Sequence, residues 1–257
     1  MRLLLSVFPG IDLLGEGMRQ EWPELCLVRG PDPIFGGDIR GWHVPAGMWY
    51  GVLGGPPCQA FSRLANLNKR CGVKTGNLIP EFERVVYEAQ PAWFLMENVP
   101  DAPIPSVPGY ETRAYLLNNR WVGGSQNRLR RFSFGTRDGR PLDIDVVLFE
   151  NPEKTPAVTA SAVVWVPLKL GGSGKVKSTY EQQHGGRPYG DRSERFFRHA
   201  VRAQGLPEGF DLPDFTVRGK IRAVGNGVPR ELARAVAKAI RKAMGEPECP
   251  IRPEVQP

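Results

Sequence analysis

Apolar residues crowd the first eight positions, and the run stops at Pro9-Gly10. A short, nearly continuous apolar stretch closed by a turn signal predicts a buried strand, here over Arg2–Phe8. Leu13–Glu21, just after the turn, predicts a short helix, so the chain opens as strand, turn, helix. Further apolar runs at Leu25–Val28, Trp49–Leu53, Ala92–Met96 and Arg131–Phe134 each end in Gly, Pro or polar residues. Between two of them, Pro80–Ala89 has Pro at a first-turn position and early carboxylates, the signature of a helix start. Strands alternating with helices predict an α/β fold around a mostly parallel sheet.

The pattern changes after residue 137. Residues 138–215 hold a Gly/Ser/Lys segment at Gly171–Ser178, a polar run at Tyr180–Asp191, and little helical period until Arg192–Ala203. This stretch is expected to form a second, smaller domain, leaving residues 1–137 and 216–257 as one discontinuous domain. Pro229–Met244 closes the fold as an amphipathic helix, with Leu232, Val236, Ala239 and Ala243 on its apolar side and Gly245 past its end. A Pro-rich tail from Glu246 is expected to be unstructured.

With 257 residues and 41% apolar composition the chain can close a sizeable core, which excludes wholesale disorder. Its 30 Gly and 25 Pro show no collagen-like period and point to a loop-rich enzyme. Cys26, Cys58, Cys71 and Cys249 fit neither a disulfide framework nor a CxxC metal pair, so a reducing, cytoplasmic setting without a metal is expected. No stretch approaches the ~20 apolar residues of a spanning helix, and a membrane partner is not expected. The net charge of +7 is unevenly spread. Residues 59–80 contain Arg63, Lys69, Arg70 and Lys74 with no acid, and residues 120–140 contain six Arg against Asp138 alone. Such stretches suit a polyanion.

Three segments beside those basic stretches carry the candidate chemistry. Gly54-Gly-Pro-Pro-Cys-Gln-Ala-Phe-Ser62 follows the run Trp49–Leu53, which puts Cys58 on a Pro-fixed loop at the carboxyl end of a strand, where open α/β sheets keep their sites. Met96-Glu-Asn-Val-Pro100 ends the next strand and delivers Glu97 to the same edge. Gln126-Asn-Arg-Leu-Arg-Arg131 sets Arg128 and Arg130 two residues apart, on one face if extended. Taken singly, these are a small buried hydrophobe, a turn carboxylate and a basic edge strand.

Taken in order, the PCQ loop, the ENV tripeptide and the QxRxR segment resemble the cytosine-5 DNA methyltransferases. Phe8-Pro-Gly-Ile11 resembles that family's first motif, Gly37-Asp-Ile39 its third, Gly76-Asn-Leu78 its fifth, Ala203–Phe210 its ninth and Gly225-Asn-Gly-Val228 its tenth. The resemblance spans roughly residues 3–137 and 195–244. It implies a Rossmann-like S-adenosylmethionine-dependent methyltransferase sheet with a small, mostly irregular or β target-recognition domain. The Phe-Pro-Gly and Arg-Gly-Pro-Asp segments are also similar to compact enzymes that phages carry, in a restriction-modification setting.

The resemblance also implies roles. Cytosine C5 is a poor nucleophile, so a thiolate, here Cys58, adds first at C6. Glu97 is the acid at N3, and Arg130 matches the residue at O2 with Arg128 beside it. S-adenosylmethionine is the implied donor, leaving as S-adenosylhomocysteine. Phe8, Gly10 and Ile11 border it, Asp32 is the acid for its ribose hydroxyls, Asp38 and Ile39 meet the adenine, and Pro57, Leu78, Asn226 and Val228 complete the pocket. Asp12-Leu13 stand where the family usually carries further glycines. The expected partner is double-stranded DNA, bound by a monomer that flips its target base out of the stack. Ser62, Arg63, Lys69 and Arg70 are candidate phosphate contacts in a closing loop, and Lys175 and Lys177 belong to the base-reading domain. A tRNA cytosine-5 methyltransferase and a catalytically inactive DNA-binding homologue remain open alternatives, whereas a nucleotide-level pyrimidine C5 enzyme has no reason to carry the glutamate, the paired arginines and the adenosyl pocket together.

Overall fold

The computed structural model describes residues 2–57, 76–147, 155, 157–158 and 190–247. Strands β1 (Arg2–Val7), β2 (Leu25–Arg29), β3 (Trp49–Gly54), β4 (Trp93–Asn98), β5 (Glu111–Asn118) and β6 (Leu129–Thr136) form one sheet in the order β2-β1-β3-β4-β6-β5. β1 pairs in parallel with β2 and β3, and β3 with β4. β6 is inserted antiparallel between β4 and β5, so β5 runs with the parallel strands. Helices α1 (Leu13–Glu21), α2 (Ile79–Ala89), α3 (Gly190–Ala203), α4 (Val217–Asn226) and α5 (Arg230–Ala243), with short 3-10 turns at Pro33–Phe35, Ile39–Gly41 and Asn119–Val122, complete the described elements. This is the mostly parallel α/β sheet that the apolar runs predict.

The runs are continuous rather than alternating because both faces of the sheet are covered. Side chains alternate along each strand, so neighbouring apolar residues enter different cores. Leu4, Leu53, Trp93 and Leu95 point to one face, where Leu14, Met18 and Trp22 of the α1 region and Leu232, Val236 and Ile240 of α5 pack on them. Leu5, Val7, Val52, Phe94 and Met96 point to the other, under Ile79, Phe82, Val85 and Val86 of α2. A third cluster joins Phe197, Ala200 and Val201 of α3 to Val224 of α4. Ile11, in the turn after β1, packs against that cluster.

Two elements lie outside the sequence expectation. β5 is an edge strand whose Glu111, Arg113, Ala114 and Leu116 are exposed, and its apolar run, Ala114–Leu117, follows charged residues and is not bounded by a Gly or Pro turn signal. α4 carries Arg218, Lys220 and Arg222 with Gly219 and Gly225, which dilute its apolar stripe. Its start is set locally, since the Thr216 side chain accepts a hydrogen bond from the Gly219 amide.

Strand order reverses at β1, whose neighbours β2 and β3 lie on opposite sides. In an open α/β sheet the carboxyl ends of the strands at such a switch point, here β1 and β3, are the usual ligand position. Among the described residues, no helix is long and apolar enough to cross a membrane.

Candidate active site

The turn after β1 is tightly wound. Phe8, Gly10 and Asp12 all have positive φ, at 53°, 55° and 59°. Glycine takes this conformation freely, whereas other residues need compensation. Asp12 finds it in its own side chain. Its Oδ1 accepts from Ser6 Oγ (2.7 Å) and from the Gly15 amide (3.2 Å), capping α1. Its Oδ2 accepts from Arg29 Nε (2.9 Å) at the end of β2. Burial pushes the Asp12 carboxyl above the usual carboxylate range, and the hydrogen bonds from Arg29, Ser6 and Gly15 offset this only in part.

Asp32 braces the same turn from the other side. Its Oδ2 accepts from the Gly10 amide (2.8 Å) and its Oδ1 from the Ile34 amide (2.8 Å). Each carboxylate oxygen can accept a further bond, so Asp32 can hold a ligand hydroxyl beside Gly10 without giving up the turn. Phe8 and Ile39 are buried in the α2-side core, with Leu78 packed against it. Asp38 caps the short turn Ile39–Gly41 and points to solvent, where the Arg40 guanidinium beside it holds its carboxyl below the usual range. At the end of β3, a Cβ on Gly54 would sit 2.6 Å from the Val7 carbonyl oxygen, so only glycine lets the two strand ends approach this closely.

Glu97 is the fifth residue of β4, and its side chain is 11% exposed. It lies opposite Phe132 on β6. Arg130, two residues before Phe132, shares that residue's face and reaches diagonally across, with Nε 2.9 Å from Glu97 Oε1. The other carboxylate oxygen, Oε2, lies 3.2 Å from where a Cβ on Gly55 would be, against the backbone of the loop that leads to Cys58. Asn98 ties the same loop down by donating from Nδ2 to the Pro56 carbonyl (3.1 Å). The structure therefore brings together Glu97, Arg130 and the Gly55–Pro57 approach. Cys58 itself lies outside the described residues, as do Ser62, Arg63, Lys69, Arg70, Lys175 and Lys177.

Arg128 is placed differently from Arg130. The Arg128 amide bonds back to the Gln126 carbonyl (2.9 Å), so the chain bends at Asn127, and the two arginines send their guanidiniums to different partners. The Arg128 guanidinium is buried and donates to the carbonyls of Val158 (2.6 Å), Gly225 (3.1 Å) and Gly227 (3.0 Å). Gln126, fully buried, donates to the Ala203 carbonyl (2.9 Å). These two side chains clamp the carboxyl ends of α3 and α4 to the start of β6. Val228, just past that clamp, is buried in the α1/α5 core, whereas Asn226 stays exposed. Arg128→Met is expected to destabilise the fold by about 3 kcal/mol, since three buried carbonyls lose a charged donor. Arg128→Lys should recover only part of this, for want of the planar fork. Urea denaturation of the purified variants measures both.

Sequence reasoning singled out Glu97 and Arg130 but passed over Asn98, Gln126, Ser6 and Arg29. Asn98 and Gln126 lie inside the motifs already recognised. Nothing local marks Ser6 or Arg29, because their partner Asp12 is six and 17 residues away.

A model of the C-5 cytosine-specific DNA methylase family matches residues 43–102, which include β3, α2, β4 and Glu97. The Type II methyltransferase M.HgiDI of Herpetosiphon aurantiacus is 34% identical over 107 residues, 38% of this chain. That match spans only 34% of the length of M.HgiDI. The Type II methyltransferase M.NgoPII of Neisseria gonorrhoeae is 24% identical over 264 residues, 76% of this chain and 77% of that protein. The solved structure of the Entamoeba histolytica methyltransferase EhMeth shares the fold, with a TM-score of 0.62 at 10% identity over 95% of this chain and 99% of that one.

Proposed function

We propose that this chain, which belongs to the C-5 cytosine-specific DNA methylase family, transfers a methyl group from S-adenosylmethionine to C5 of a cytosine flipped out of duplex DNA. The observation that carries the reading is the Glu97 carboxylate, held between Arg130 and the loop that leads directly to Cys58. The match of residues 43–102 to the C-5 cytosine-specific DNA methylase model supports DNA as the substrate.

The residues divide the work by charge. Addition of the Cys58 sulfur to C6 moves electrons toward N3 and O2 of the ring and makes C5 nucleophilic. Glu97 meets N3 with a proton, and Arg130 offers N–H donors to O2 while keeping the carboxyl group oriented. Glu97 and Arg130 come from adjacent strands, so their spacing does not depend on a mobile segment. Asn98 holds Pro56 and thereby sets the start of the nucleophile loop. After methylation, loss of the C5 proton and of the Cys58 thiolate restores the aromatic ring.

The donor is placed in this reading at the carboxyl ends of β1 and β3, the switch point of the sheet. Gly10, at positive φ, leaves the turn after β1 without a side chain, and Asp32 has acceptor capacity beside Gly10 for ribose hydroxyls. Phe8, Ile39 and Leu78 supply an apolar wall on the α2 side. S-adenosylmethionine, when bound, supplies a methyl group activated by a sulfonium leaving group. Target readout belongs in this reading to residues 138–215, with Lys175 and Lys177 on the phosphates.

The test is incubation of the full chain with S-adenosylmethionine labelled in its methyl group and either duplex DNA or a tRNA transcript. Label on C5 of cytosine in the duplex is the expected result. Label confined to the tRNA, or found in neither, overturns the proposal.

A further inference from the structure

The turn after β1 departs from a glycine-rich pattern at Asp12, and the structure shows what the replacement does. Asp12 is 2% exposed, takes a left-handed conformation at φ 59° and ψ 39°, and spends both carboxylate oxygens on partners from three different segments. Ser6 belongs to β1, Gly15 to α1 and Arg29 to β2. The site admits no larger neighbour, because a Cβ at Gly15 would lie 2.4 Å from Asp12 Oδ1. The next residue back, Ile11, packs on the α3/α4 cluster, and Gly10 is tied to Asp32. Glycine at position 12 would permit the same dihedral angles but hold nothing.

We infer that Asp12 and its counter-ion Arg29 are positioning residues for the methyl donor: the pair locks the turn after β1 in the donor-binding shape that a glycine would merely allow. The inference rests on the donor assignment made above. Arg29 does its part from outside, since its side chain is 58% exposed while that of Asp12 is 1% exposed. Exchanging Arg29 therefore removes the charge partner without opening the core. A brace built before the ligand arrives lowers the ordering cost of binding, so its loss should appear in donor affinity rather than in the chemical step.

The experiment measures S-adenosylmethionine affinity by calorimetry on the full chain and on Arg29→Gln, Asp12→Gly and the double variant. The same proteins are assayed for methyl transfer, and amide hydrogen exchange over residues 8–16 is followed without ligand. Each single variant is expected to weaken donor binding by about five- to twentyfold. KM for the donor should rise in step while kcat falls less than about threefold, and exchange in the turn should quicken. The double variant should be no weaker than Asp12→Gly, because both changes break one unit. Native affinity in Arg29→Gln, or penalties that multiply in the double variant, would overturn the inference. Arg29→Gln keeps the test decisive if Asp12→Gly fails to fold. An unaltered chain that does not bind S-adenosylmethionine would instead sink the donor assignment.

Discussion

Cys58→Ala is expected to abolish methyl transfer, with a loss of roughly 10⁴-fold or more, while duplex binding stays within a few-fold of the parent. The size follows from the chemistry. Without a sulfur to add at C6, C5 remains part of an electron-poor aromatic ring, and neither Glu97 nor Arg130 can supply the missing electrons. Phosphate contacts, which dominate DNA affinity, do not involve the thiol. Methyl transfer to duplex cytosine and fluorescence anisotropy with the same duplex separate the two quantities. A companion measurement uses duplex carrying 5-fluorocytosine, where the C5 fluorine cannot leave as a proton and the covalent adduct should survive denaturation. Residual turnover near the parent value, or an adduct that persists in Cys58→Ala, would remove Cys58 from the mechanism.

Glu97→Gln is expected to lower kcat by about 10²–10⁴-fold, the usual weight of a positioned proton donor, with little change in KM for DNA. The variant is close to isosteric, and its amide oxygen can still accept from Arg130, so the strand ends should keep their shape. What is lost is a proton that can be delivered to N3 as charge develops there. Glu97→Ala makes the contrast, because it leaves the largely buried Arg130 without its partner and should cost stability as well as rate. Thermal unfolding of the two variants beside their single-turnover rates tells these effects apart. A Glu97→Gln enzyme as fast as the parent would show that the carboxyl group is not the acid.

The legibility of this chain in its sequence follows from how its elements are made. The parallel strands are buried on both faces, so each appears as an apolar run, and the residue types needed for chemistry come directly after such runs. Glu97 and the Gly54–Pro57 loop could be placed on one edge of the sheet for that reason. β5 stood out less, because its short apolar run Ala114–Leu117 follows charged residues and is not closed by a Gly or Pro turn signal. Residues 138–215 were set apart on composition, and within that stretch α3 packs through Phe197 and Val201 on Val224 of α4.

The two arginines of Gln126–Arg131 show the boundary most clearly. Their spacing suggests a shared face, yet the bond from the Arg128 amide to the Gln126 carbonyl turns the chain just before Arg128, and the two guanidiniums go to different partners. Arg130 is left to reach Glu97, and Arg128 turns to carbonyls 30, 97 and 99 residues away. Asp12 makes the same point, since its aspartate is visible in the chain but its left-handed backbone and its bonds to Ser6 and Arg29 are not. The order of the motifs, the strand–helix alternation and the set of reactive side chains belong to the primary structure, because they depend on residue type and local period. Which of those side chains faces the reaction and which merely holds the frame was decided by the tertiary structure. Side-chain direction depends on backbone angles and on partners brought in from distant segments, and neither is written in local spacing.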